Sequence, residues 1–252
     1  MAAESQSTPE SEVNGWRLLG TRDFGCLWAG QVVSQIGDGL NKVALLWFVY
    51  EMTGSALKMT AIGLLQTIPP LVFGPLIGVY LDYLPKKTVM IVVDLLRTLM
   101  VLLIPLFYAF DMLTLERLYV LVFLISIVST VFGPALASAV PLIVQRSQLT
   151  TANAWIQSTT NIGVLLGPAM SGLGIALIGA QNVLYVDAAT FLVSALFLLP
   201  IRVRDSRTVK GLDVLATPVM QDMMVGFRFV FLQHRVVFAL MITCLLYTSR
   251  CV

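Results

Sequence analysis

Six uninterrupted apolar runs dominate the chain, near 24–50, 57–81, 88–110, 118–142, 155–179 and 183–201. A helix crosses the hydrocarbon core of a bilayer with about 20 residues, and each run is near or above that length. Within lipid every backbone N–H and C=O must find a partner inside the protein, which leaves helices and closed barrels. Barrel strands read as short alternating segments, and these runs do not alternate. Composition agrees: 58% of the 252 residues are hydrophobic and 12% charged, against about 45–50% and about 25% in soluble domains. The expected fold class is an all-α membrane protein.

The runs divide the chain into segments. Residues 1–20 read as a disordered cytoplasmic tail, 21–201 as an N-terminal domain of six transmembrane helices, and 202–235 as a cytoplasmic central linker. A seventh helix, 236–252, begins at Val236 and is cut short by the end of the chain. Short links after the third and fifth runs favour antiparallel hairpins. Six spans can form two three-helix units of opposite topology, a 3+3 inverted repeat, although the residues themselves do not display that symmetry.

Several function classes are excluded. A net charge of +2 with no basic stripe gives nucleic acid nothing to bind. His234, Cys26, Cys244 and Cys251 do not have metal-ligand spacing, so no metal or other cofactor is expected. No nucleophile–base set or phosphate loop is present, which argues against an enzyme. The acidic, polar N-terminus lacks the features of a signal peptide. With the N-terminus in the cytoplasm, inside segments carry Arg17, Arg22, Lys86, Lys87, Arg146, Arg202, Arg204, Arg207 and Lys210, and outside segments carry Lys58 and Arg117. That asymmetry predicts a multi-pass protein of the cytoplasmic (inner) membrane with its N-terminus inside.

Polar residues inside spans need partners or a wet cavity. In the first run Gln31, Ser34, Gln35, Asp38, Asn41 and Lys42 fall within an arc of about 120° on a helix. Asp38 and Lys42 stand four apart. Either they form a structural ion pair buried against neighbouring helices, or the stripe lines a water-filled path and Asp38 titrates during a cycle, with Lys42 holding it ionised in one state. In the fifth run Asn153, Gln157 and Asn161 step by four. Gly163, Gly167 and Ser171 form a small-residue ladder beside them, and Pro168 follows directly, as a packing device or a bending point. The small face of the fourth run (Ser126, Ser129, Thr130, Gly133, Ala137) reads as helix packing rather than ligand contact. Gly74 and Gly78, with three prolines, predict a bent, closely packed second span. Asp187 reads as a capping or interface group rather than a coupling site.

Between the second and third runs, Gly78, Asp82, Lys86 and Lys87 occupy a tight turn, with Asp94 and Arg97 farther along the next helix. Charges that can pair and re-pair make a bistable gate; simple anchoring by the two lysines is the alternative. Gly78-x-x-x-Asp82-x-x-x-Lys86-Lys87 resembles the cytoplasmic loop signature of the major facilitator superfamily, with Tyr83 where that signature usually has Arg. The salt bridge of that Arg is therefore not carried over, and Lys86 or Arg97 would have to serve. The run Gly163-x-x-x-Gly167-Pro168-x-x-x-Gly172 resembles the fifth-helix motif of the superfamily's antiporters, with Ser171 replacing one Gly. FGCLWAGQVVSQIGDGL at 24–40, LTTANAW at 149–155 and DAATFLVSALFLL at 187–199 resemble the macrolide-efflux and siderophore-exporter branch, the transmembrane secretion effectors.

The resemblance covers roughly residues 20–240 and implies the six-helix N-terminal half of a major facilitator fold. A C-terminal half of the same polypeptide would supply the other side of a midplane cavity. It implies proton-coupled export of amphipathic small molecules such as drugs, macrolides or siderophores. On this reading Asp38 and Lys42 are the proton-coupling candidates, while Gln31, Ser34, Gln35, Asn41, Gln157 and Asn161 line the cavity. Gly78, Asp82, Lys86, Lys87, Asp94 and Arg97 form the cytoplasmic gate. A lipid-type transporter of the same superfamily and a membrane scaffold that moves nothing are the alternatives. The stretch Cys244–Ser249 reads CLLYTS, which a transposase-adapter sequence encodes. Either residues 244–252 are adapter-derived and the chain is a fragment, or the stretch is an ordinary apolar helix that happens to match the adapter.

Overall fold

A computed structural model describes residues 15–81 and 84–203. Among the described residues there are seven α-helices: α1 (Gly15–Leu19), α2 (Arg22–Thr53), α3 (Ala56–Leu81), α4 (Lys86–Ala109), α5 (Leu115–Ile143), α6 (Leu149–Ile178) and α7 (Ala180–Leu198). A single 3₁₀ turn, Arg146–Gln148, leads into α6. The six long helices coincide with the six apolar runs. Five of them, α3 to α7, are long and apolar enough to cross a membrane. The polar stripe of α2 lowers its apolarity, but its 32 residues exceed the length required. Prolines stand inside α3, α4, α5 and α6 without ending them, as helices packed in a membrane permit.

The packing carries the symmetry that the residues conceal. α2 packs against α7 and α6. If the first three long helices are exchanged for the second three, these contacts become α5 against α4 and α3, and both are present. The α4–α7 contact maps onto itself. Because successive helices run in opposite directions, the exchange inverts direction, and the domain is a 3+3 inverted repeat. Two apolar clusters hold its ends. One includes Leu45, Phe48, Ile104, Leu118 and Leu184, the other Phe24, Leu27, Met90, Leu136 and Leu198.

The described basic residues gather accordingly. Lys87 Nζ donates to the Leu199 carbonyl at 2.7 Å, and the Arg202 backbone N–H donates to Asp23 Oδ1 at 3.1 Å. The helix ends near Arg22, Lys87 and Arg202 thus share one end of the bundle. At the other end, the Tyr119 hydroxyl donates to the Lys58 carbonyl at 3.1 Å.

Two expectations are corrected. The tail expected to be disordered through residue 20 is helical at Gly15–Leu19. Leu18 buries there, and Trp16 meets Trp155 edge to face at 5.2 Å between ring centroids, so apolar anchors overcome the polar composition upstream. Close packing at both glycines of α3 is not found. A side chain at Gly74 would approach Thr130 at 3.7 Å, whereas one at Gly78 would meet nothing within 4 Å. The linker beyond residue 203, the seventh helix and the adapter-like end lie outside the described residues, as does Asp82.

Candidate transport cavity and its buried ion network

α2, α5 and α6 form most of the wall of an open cavity of about 980 Å³, which Gln66 and Pro70 of α3, Arg97 of α4 and Phe191 of α7 also line. α2 contributes Gln31, Gln35, Asp38, Asn41 and Lys42, and α6 contributes Asn153, Gln157 and Thr160. Helical spacing places these residues on one wall of each helix. Gln157 Nε2 donates to Asn161 Oδ1 at 3.0 Å; Asn161, expected to line the cavity, is exposed one turn farther along α6 and does not line it. Ser34 is buried against α4 instead, where it accepts from Arg97 Nη1 at 3.5 Å.

The small face of α5, read from sequence as packing, lines the cavity with Ser126, Ser129, Thr130, Gly133 and Ala137. The Ser126 and Thr130 hydroxyls donate to the carbonyls of Val122 and Ser126 at 2.8 and 2.7 Å. Bonding back to their own helix leaves a weakly polar wall without strong donors. Small side chains also leave the space that the cavity occupies.

Between the two apolar clusters lies a polar layer. Arg97 of α4 forms an ion pair with Asp38 of α2. Its guanidinium also stacks 3.8 Å over the centroid of the Phe191 ring and lies 3.8 Å from Asp94 Oδ1. The Arg97 side chain is 4% exposed and that of Asp38 29%, so the pair is anchored in protein and reaches the cavity through its carboxylate. Asp94 accepts from the Ser194 hydroxyl at 2.7 Å. The fully buried Asp187 accepts from Asn41 Nδ2.

Three expected roles change. Lys42 does not pair with Asp38; it stays exposed on the cavity wall, and Arg97 takes its place. A planar guanidinium suits a buried carboxylate better than a flexible ammonium. Asp94 and Arg97 do not join the expected gate. Arg97 lies eleven residues beyond Lys86 on α4, about 16 Å along the axis, which places it in the central layer. Lys86 donates to the carbonyls of Leu81 and Leu84 at 2.5 and 3.0 Å, at the end of α3. Asp187 is not a cap, since it stands well inside α7.

The fifth-span glycines act as packing devices. A side chain at Gly167 would lie 2.6 Å from the Gly39 Cα of α2, and one at Gly163 would lie 3.3 Å from Gln35 Cβ. Ser171 Oγ donates to the Leu40 carbonyl at 2.9 Å. Pro168 stands within a helix that continues past it, and a side chain at Gly172 would meet nothing within 4 Å.

An inverted repeat of six long helices around a polar-walled cavity, with an ion pair at its inner wall, defines a multi-pass helical membrane transporter domain. The chain belongs to the transmembrane secretion effector family of the major facilitator superfamily, whose profile matches residues 13–250. It is 30% identical over 237 residues to macrolide efflux protein A of Streptococcus pyogenes, covering 93% of this chain and 56% of that protein. It is also 30% identical over 212 residues to the multidrug efflux pump Tap of Mycolicibacterium fortuitum, covering 82% and 50% respectively. The chain therefore spans about half the length of the curated relatives it matches, and these relatives are transporters rather than enzymes. No solved structure matches the chain.

Proposed function

We propose that this chain is the N-terminal half of a proton-coupled exporter that moves amphipathic small molecules, such as macrolides, other drugs or siderophores, out across the cytoplasmic membrane. The proton is the coupling ion, and a C-terminal half of the same polypeptide closes the cavity. The observation that carries this reading is the Asp38–Arg97 pair, buried at its guanidinium and open to the cavity at its carboxylate. Protonation of Asp38 would release Arg97, and a substrate in the cavity competes for the same groups, so proton and substrate bias one equilibrium. The amide-rich wall of Gln31, Gln35, Asn41 and Gln157 offers neutral donors and acceptors to a substrate with scattered polar groups. The gathering of basic residues at one end of the bundle supports a cytoplasmic N-terminus.

The test uses the complete polypeptide in inverted membrane vesicles, reading macrolide or dye transport against an imposed pH gradient. Asp38→Asn is expected to abolish gradient-driven transport while leaving substrate binding measurable. Unchanged gradient-driven transport would remove Asp38 from coupling.

A further inference from the structure

We propose that Asp187 is a second proton site, shielded from the cavity, that stores a proton and exchanges it with Asp38. This rests on the proton-coupled reading above. Three carboxylates, Asp38, Asp94 and Asp187, meet between α2, α4 and α7, where Arg97 is the cation. Asp38 is paired with Arg97. Asp94 accepts a hydroxyl hydrogen bond and lies 3.8 Å from the same guanidinium. Asp187 is fully buried, its Oδ2 accepts from the neutral Asn41 amide, and its Oδ1 has no hydrogen-bond partner. An ionised carboxylate so placed would be a bare charge in a water-poor layer, and such a group takes up a proton instead.

The groups packed around Asp187 support this assignment. α2 presents Asp38 and Asn41, with Lys42 turned to the cavity. α4 presents Asp94 and Arg97, and α6 carries no charged residue along Leu149–Ile178. Among the described residues on these helices, no further cation faces Asp187 to compensate a second or third negative charge.

Asp187 also lies against the stretch of α2 that carries Asp38. Gly37 has no side chain, and a Cβ there would lie 2.6 Å from Asp187 Oδ1. The unpartnered oxygen therefore faces the α2 backbone one residue from Asp38. In the exchange, the O–H bond on Asp187 breaks and one forms on Asp38, while Arg97 shifts from Asp38 toward the newly charged Asp187. Charge is conserved, and the proton arrives on the carboxyl that reaches the cavity.

The experiment is difference infrared spectroscopy of the complete exporter in lipid, joined to gradient-driven transport. Wild type at neutral pH should show the C=O band of a buried protonated carboxyl. Asp187→Asn should remove the band, and Asp94→Asn, which leaves the Asp38–Arg97 pair in place, should retain it. Asp187→Asn, which mimics the protonated acid in shape, should bind substrate but lose gradient-driven transport. Absence of the band from folded wild type, its persistence in Asp187→Asn, or unchanged coupling in Asp187→Asn would each overturn the proposal. If Asp187→Asn fails to accumulate, Asp94→Asn still decides: loss of the band in that variant would place the proton on Asp94 and overturn the proposal. Failure of the coupling reading itself appears separately, as unchanged transport in Asp38→Asn.

Discussion

Arg97 reaches Asp38 and Asp94 while its guanidinium lies over the Phe191 ring. Removing it leaves two carboxylates facing each other in the protein interior. Loss of one partner of a buried ion pair costs about 3–5 kcal/mol, so Arg97→Ala should sharply lower the melting temperature of the detergent-solubilised full-length protein. Adding Asp38→Asn should recover part of that loss, because one stranded charge disappears with its carboxylate. A double-mutant cycle on melting temperature checks the coupling, and strictly additive losses would contradict the pairing. Asp38 was legible in the sequence because a carboxylate within a polar stripe stands out. Its partner was not, since Lys42 lies one turn away on the same helix and Arg97 is brought near only by tertiary packing. Asp187 was read as a capping or interface group; the amide that engages it comes from another helix, so its sequence neighbours could not name the partner.

At the scale of helices, the crossing of α2 and α6 depends on two glycines that meet backbone to backbone. An added Cβ at Gly167 would stand 2.6 Å from Gly39 Cα, with the reciprocal distance the same. Gly167→Ala should therefore force the helices apart, lowering thermal stability and transport together. Gly172→Ala meets open space, and in a helix Ala is favoured over Gly by about 1 kcal/mol, so this variant should be neutral or stabilising. Parallel melting curves of the two variants test the contrast; equal losses would contradict it. All six spans were readable from apolar length alone, because lipid demands long helices. The small-residue face of α5 was misread, because small residues serve equally to admit a neighbouring helix and to leave a cavity. One helix's sequence does not distinguish these, and the arrangement of α2, α5 and α6 does.

For the whole domain, alternating helices and the grouped basic residues predict a definite sidedness. In a background free of native cysteines, single cysteines at Lys58 and Arg117 should react with an impermeant maleimide applied outside cells. A cysteine at Arg146 should react only after permeabilisation. The opposite pattern would reverse the orientation. The Gly39–Gly167 contact lies near the middle of α2. From it, α2 extends about 25 Å toward Arg22 and about 21 Å toward Thr53 at 1.5 Å per residue. A contact without side chains acts as a fulcrum: tilting α2 on α6 by about 5° would swing the two tips about 2 Å in opposite directions, given arms of that length. Narrowing one mouth of the domain would thereby widen the other, so a lever built from two missing methyl groups would keep both ends from opening at once.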